Sequence, residues 1–422
     1  MKLKFAWNSI KRGRASLVLA LALTAMLTAT PAAQAQTFTV IHTFTGGNDG
    51  IDPLDALLLA PDGIYGNTYD GGGNSSIGTV FRIDKMGEYT VLYRFPGCCD
   101  VYPRGADPIG GLIRDAAGNL YGTTYLGGAY RQGSIFKLDK TGRETVLHSF
   151  GGADGSGPWA TMIMDSAGNL YGSTAYGGDI TNCDIPVGCG TVFKLDPAGN
   201  LTTLYAFQGT FDGTMPIGNL VRDAQGNLYG TAGQGGSSSC VGTGCGTLFK
   251  LDMSGAITIL HVFVNSDAYG CFPFGGLIGD RAGNLYGTAN ACAAGDNGTI
   301  FRLDPQGVIT VLYNFKGGRD GRDSAAPLLR DAAGNLYGTT EFGGDLSCNL
   351  LGEQLGCGTV FKLDTTGQET VLYRFTGKKD GGFPTAGLVM DAAGKLYGTA
   401  PDAGDFGCEQ FIGCGVVFAV TP

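Results

Sequence analysis

DAAGNLYGTT, residues 115–124, decides the fold because the chain repeats it. Its Tyr-Gly pair recurs at Tyr65, Tyr121, Tyr171, Tyr229, Tyr286, Tyr337 and Tyr397. A Gly-x-x-Phe follows each time, ending at Phe81, Phe136, Phe193, Phe249, Phe301, Phe361 and Phe418. A third mark is the Phe closing TVLYRF-like segments, at Phe44, Phe95, Phe150, Phe207, Phe263, Phe315 and Phe375. Three independent marks each count seven, so internal repetition comes before any other reading of the chain.

Each unit holds four short runs rich in β-branched and aromatic residues, bounded by turn residues: GGLIRD (110–115), NLYGTT (119–124), SIFKLD (134–139) and TVLHSF (145–150). DAAGN joins the first two as a tight hairpin, with Asp opening the turn and Gly or Asn taking positive φ, and DKTG (139–142) joins the last two. Four strands per unit and seven units predict an all-β, seven-bladed β-propeller of four-stranded antiparallel blades. A parallel β-helix is the main rival, but it does not need a four-strand meander with two hairpins. A linear array of small sheets would leave many exposed edges. The mature chain begins with a lone fourth strand, TFTVIHTF (37–44), and stops after a third, GVVFAV (415–420), so the N-terminal strand is expected to close the ring by joining the last blade. Blades are expected at about 54–95, 109–150, 160–207, 217–263, 274–315, 325–375 and 385–420 plus 37–44, forming one domain over 37–422.

Residues 1–35 read as a secretory signal peptide: a basic start (Lys2, Lys4, Lys11, Arg12, Arg14), an apolar run from Ala15 to Thr30, and cleavage after Ala33-Gln34-Ala35. The apolar run is shorter than the roughly 20 residues a spanning helix needs, and no later stretch is long enough, so no membrane insertion is expected after cleavage. Cleavage moves the formal net charge from −9 to −14. So acidic a chain repels phosphate backbones and anionic lipid, which argues against nucleic-acid binding. A secreted or periplasmic location follows.

Strand order sorts the loops by face. The two hairpins of each blade share one end and are monotonous. The lead-in to the first strand and the loop between second and third strands share the other end and vary. Recognition on a repetitive scaffold belongs on variable loops. The cysteines fall there too. Cys183 with Cys189, Cys240 with Cys245, Cys348 with Cys357, and Cys408 with Cys414 bracket second-to-third loops, while Cys271 and Cys292 meet only if the face assignment holds. Exported cysteines read as disulfides; a metal reading is weaker, because the gaps vary and no histidine accompanies them. Cys98-Cys99 is left over as a vicinal disulfide, two thiols or an intermolecular bond.

Catalytic candidates are thin. His42, His148 and His261 take one fourth-strand place that Tyr93, Tyr205, Tyr313 and Tyr373 fill elsewhere, a packing position with a polar tip, which leaves no histidine for a triad. Asp-Gly pairs at Asp49, Asp154, Asp212, Asp320 and Asp380 could ring the channel mouth and bind Ca²⁺ or a cationic ligand, but read better as turns. No other cofactor is indicated. Arg114, Arg222 and Arg330 end the first strand of alternate blades, either lining the hairpin-side mouth or standing as solvated charges. On the variable face, Asp70, Glu341 and Asp402 offer carboxylates, Tyr176 an aromatic ring, and Trp159, the one Trp after the leader, either a sugar-stacking surface or core packing.

Repeats reading D-x-x-G-N-L-Y-G-T-T, then G-G, G-T-V-F-K-L-D and T-V-L-Y-x-F resemble the GloVer tandem repeat over about residues 37–422. That family comprises exported bacterial proteins of unassigned function, several with a C-terminal surface-sorting signal. The resemblance implies an extracytoplasmic repeat protein and brings no catalytic residue with it. This chain stops at Pro422 directly after a strand, so free secretion or the periplasm is expected rather than attachment through such a signal. The leading expectation is a non-catalytic binding module whose ligand, a glycan or a cell-surface or protein partner, seats on the variable face. The alternatives are a carboxylate-dependent glycan hydrolase or lyase and a structural surface or matrix component.

Overall fold

The computed structural model describes residues 36–422 apart from 74–75, 97–104, 182, 184–186, 210, 239, 241–243, 266–268, 293–294, 349–353 and 409–412. Residues 1–35, where a leader is expected, and the Cys98-Cys99 pair lie outside the described residues. Seven antiparallel sheets form a β-propeller. Blade 2 shows the plan: Ile113–Arg114 inside, then Leu120–Gly127, Ser134–Leu138 and Glu144–Ser149 outside, each paired with the next. The outer strand of the last blade is Thr37–Thr43, paired antiparallel with Val416–Thr421.

The three repeated marks have a shared physical cause. The Tyr-Gly glycine lies under the third-strand Phe of its own blade. A Cβ on Gly172 would sit 2.6 Å from Cζ of Phe193, and the other six blades repeat this within 2.5–2.7 Å. Glycine is therefore fixed by close approach rather than by backbone conformation. The third-strand Phe in turn meets the fourth-strand Phe of the neighbouring blade. Phe95 contacts Phe136 at 5.1 Å between centroids, and equivalent pairs run round to Phe375–Phe418 (5.1 Å) and Phe44–Phe81 (5.6 Å). The Phe44–Phe81 pair joins the last blade to the first, as do a Thr399 Oγ1 hydrogen bond to the Asp55 carbonyl and the Asp52 amide donating to the Cys414 carbonyl. All these phenylalanines are fully buried. Edge-to-face geometry adds about 0.5–1.5 kcal/mol per pair beyond area burial.

The hairpin Asp is more than a turn former. Asp115 accepts hydrogen bonds from the Asn119 backbone (2.8 Å), the Asn119 side chain (2.7 Å) and the Tyr121 hydroxyl (3.0 Å). Burial pushes its carboxyl up, but those bonds outweigh it and hold it below its ordinary value. The two halves of DAAGNLYGTT are thus one bonded unit. Arg114, Arg222 and Arg330 stitch neighbouring blades: each lies over the Tyr of the preceding blade (5.4, 5.4 and 5.5 Å to Tyr65, Tyr171 and Tyr286), and Arg114 also pairs with Asp62 at 2.7 Å.

The first strand is shorter than GGLIRD predicts: only Ile113–Arg114 pairs beside the hairpin, and the lead-in Gly105–Pro108 pairs separately further along the second strand. Between them the chain bulges away from the ladder to line the channel. Residues from all seven blades, among them Asp55, Gly110, Thr161 and Asn219, surround a central space of only about 80 Å³. Packing of these bulges, rather than a continuous ladder, fills the axis.

Candidate functional site

The lead-in to each blade carries one repeated conformation. Asp52, Asp107, Gly157, Met215, Phe272, Asp323 and Phe383 all have φ between 53° and 60°. Proline follows six of them and Ser324 the seventh. For bulky residues this backbone is strained. Two residues further on, the chain reaches the channel-lining stretch, so these side chains surround the channel mouth on the variable face. Two of them abut the end of the second strand of the preceding blade. A Cβ on Gly157 would lie 2.8 Å from the Tyr125 ring, and Phe383 meets Phe342 at 5.6 Å between centroids.

The mouth divides by chemistry. Blades 6, 7, 1 and 2 contribute an arc of carboxylates. Burial, then the fields of Asp402, Asp55 and Asp70, raise Asp52 to about 7. Burial, then Asp323 and Asp402, raise Glu341 to about 7. Asp107 reaches about 6 through burial and Asp70, and Asp402 about 6 through burial. Below them in the channel, burial pushes Asp55 up to about 7, partly offset by bonds from the Gly110 amide (2.8 Å) and the Asn67 side chain (3.1 Å). Water exclusion and like charge both disfavour ionisation here.

Blades 2, 3 and 4 contribute a cleft of about 900 Å³. Tyr125, Tyr176, Gln132, Gln234, Ser156 and Met215 wall it, all half-buried, and none of the described residues lining it is charged. The Ser156 hydroxyl donates to the Gln132 side-chain carbonyl and fixes that amide. Trp159 stands edge-on to Tyr125 at 5.5 Å, 38% exposed and beside the channel.

Of the sequence candidates, Glu341 and Asp402 share one field, Asp70 adjoins Asp52 and Asp107 in the same arc, Tyr176 lines the cleft, and Trp159 sits between the two. The partners missing from the sequence reading are Asp52, Asp107 and Asp323 in the arc, and Gln132 and Met215 in the cleft. The x-Pro dipeptide recurring at the lead-ins was the signal for Asp52 and Asp107, while Asp323, followed by Ser324, lacks it. The Asp-Gly aspartates do not ring the mouth. They anchor the connection after the outer strand: Asp154 takes His148 (2.7 Å), Asp212 takes Tyr205 (2.7 Å) and Asp380 takes Tyr373 (2.8 Å), each with backbone amides as well. The histidine-or-tyrosine position is therefore a loop anchor.

Disulfides join Cys183–Cys189, Cys240–Cys245, Cys271–Cys292, Cys348–Cys357 and Cys408–Cys414. The Cys271–Cys292 bond joins a lead-in to a second-to-third loop, on one face. Among the described residues, the one set of three metal-ligating atoms within 4.8 Å of one another is the sulfurs of Cys240, Cys271 and Cys292, where two disulfides abut. Those sulfurs are already bonded.

Fold and site together define a disulfide-pinned, seven-bladed propeller with one uniform and one diversified face. By sequence, residues 27–186 and 185–351 match the Gloeobacter/Verrucomicrobia repeat, and the chain belongs to that family. No curated protein matches it in sequence. Among solved structures it is similar to the extracellular domain of a candidate hybrid two-component system from B. thetaiotaomicron (12% identity, TM-score 0.54, covering 92% of this chain and 41% of that one). The extracellular domain of a candidate one-component system from the same organism gives 15%, 0.53, 92% and 42%. This chain therefore spans about two fifths of those proteins' length, and the likeness is one of fold.

Proposed function

We propose that the protein is an exported, non-catalytic binding module whose ligand seats in the cleft between blades 2, 3 and 4. The observation that carries this is the cleft itself: half-buried aromatic rings beside amide and hydroxyl groups, concave, and built on the loops that vary most between blades. Such sites typically span about 300–1,000 Å³ and combine apolar walls with a few polar groups. Export is supported by five disulfides, which persist in oxidising compartments. Retention on insoluble polysaccharides and cell-wall fragments, with and without Ca²⁺, tests the reading. Wild type is retained by at least one, Tyr176→Ala is released, and Met253→Ala on the hairpin face behaves as wild type. Retention unchanged in Tyr176→Ala sinks it.

A second reading has its own observation. Four carboxylates raised toward neutrality at one channel mouth are what general acid–base chemistry on a glycan requires. Release of soluble sugar from a retained polysaccharide, abolished by Glu341→Gln or Asp52→Asn, would establish a hydrolase or lyase; absence of products would exclude it for that substrate.

A further inference from the structure

We propose that the cleft between blades 2, 3 and 4 selects uncharged sugars and rejects uronic-acid polymers; this rests on the binding-module reading above. The cleft presents two ring faces and three hydrogen-bonding side chains. Tyr125 and Tyr176 offer flat apolar surface of the kind that stacks on the C–H face of a pyranose. Gln132 and Gln234 each carry both donor and acceptor atoms, and Ser156 a hydroxyl, which matches sugar hydroxyls that also do both. Met215 adds a further apolar side chain to the lining.

Charge decides between sugar classes. A carboxylate entering a half-buried site loses hydration and needs a cationic partner in return. No Lys or Arg is among the described residues lining this cleft. Charge of the same sign lies close by: the Tyr125 hydroxyl lies in the field of Asp107, which belongs to the acidic arc. The chain as a whole is at −9. An anionic sugar thus meets a site with no counter-charge beside a concentration of like charge, whereas a neutral sugar loses nothing by that arrangement.

The volume, about 900 Å³, is at the upper end for small-ligand sites, which fits several consecutive sugars rather than one. Exposed Ile180 and Val187 add apolar surface to the same lining.

Calorimetry of the full exported chain with cellohexaose, xylohexaose, mannohexaose and hexagalacturonic acid at pH 7 tests this. At least one neutral hexasaccharide binds, at least 10-fold more tightly than hexagalacturonic acid. Tyr176→Ala weakens it at least 10-fold. Gln234→Lys, which supplies the missing counter-charge, narrows the neutral-to-uronate ratio, while Met253→Ala leaves it unchanged. Hexagalacturonic acid binding as tightly as the best neutral probe, and lost in Tyr176→Ala, overturns the charge selection and leaves the binding module standing. Binding by none of the four overturns the inference; the module reading itself falls only if Tyr176→Ala also leaves retention on the insoluble panel unchanged.

Discussion

At the scale of single residues, blade 1 departs from its six siblings. Three positions after the lead-in residue, the other blades have Gly110, Ala160, Gly218, Gly275, Ala326 and Ala386, where blade 1 has Asp55. Its second strand reads Asn67 where the others have Thr or Ser. The two exceptions bond to each other at 3.1 Å, so one compensates the other, and Asn67 Oδ1 remains buried without a hydrogen bond. The double variant Asp55→Ala/Asn67→Thr restores the sibling pair. It should raise stability by about 1 kcal/mol, read as a higher Tm, since it removes a buried carboxyl and an unsatisfied acceptor. A lower Tm would mean the pair holds the blade 1–2 seam in a way its siblings do not need.

The same residues set a pH dependence. Asp52, Asp55 and Glu341 sit at about 7, and Asp107 and Asp402 at about 6, all above their unfolded values. The folded state therefore holds protons that the unfolded state has released. Their contribution is present in full below about pH 4 and is lost as pH rises through 6 and 7. The hairpin aspartates Asp115, Asp165, Asp223, Asp280 and Asp331 are lowered, so their contribution is present above about pH 4 and fails as pH falls further. Denaturant unfolding from pH 3 to 8 should show a maximum near pH 4 and a fall that levels off above about pH 7. Asp52→Asn should flatten the alkaline limb. A flat limb in the wild type would contradict the packed acidic arc. Glu341 and Asp402 were visible in the sequence as variable-face acids, but their company was not, because the five acids come from four blades and meet only where the ring brings those blades together.

At the scale of elements, the repeat was legible because the constraints are local. Gly172 must be glycine to lie under Phe193, and Asp165 must be Asp to collect the Ala167 and Asn169 amides, the Asn169 side chain and the Tyr171 hydroxyl. Gly172→Ala should cost about 1–3 kcal/mol through overpacking. Asp165→Ala should cost a comparable amount by unpairing that hairpin. Equal losses for the matching positions in blades 4 and 6, measured by chemical denaturation, would show that the blades are energetically equivalent. The first strand was less legible. GGLIRD reads as one strand, but its Gly-Gly half belongs to a bulge forced by the crowded axis, a constraint set by seven chains converging rather than by neighbours in sequence.

At the scale of the whole molecule, ring closure holds the ends. Phe38 of the N-terminal strand stacks on Tyr373 at 3.7 Å between centroids, and Phe44 completes the aromatic circuit. Phe38→Ala should cost about 3 kcal/mol, and removal of Thr37–Thr43 should expose the edge of Val416–Thr421 and produce aggregation on gel filtration. Closure was readable from the spare strand at one end and the missing one at the other. The two faces were readable too, since alternating hairpins and variable loops follow from antiparallel order. Where a ligand would sit was only partly readable: Tyr176 and Gln234 were visible on their loops, but Gln132 and Met215 join them only through the radial arrangement of three blades.

The most direct test of the proposed binding cleft is amide hydrogen exchange on the chain from residue 36 to 422 with and without cellohexaose, xylohexaose and mannohexaose in turn. The account predicts slowed exchange with at least one of them at residues 125–134, 151–156 and 176–181 and around Gln234, with the hairpin turns at 115–119 and 165–169 unchanged. No protection by any of the three, or protection confined to the hairpin face, would contradict it.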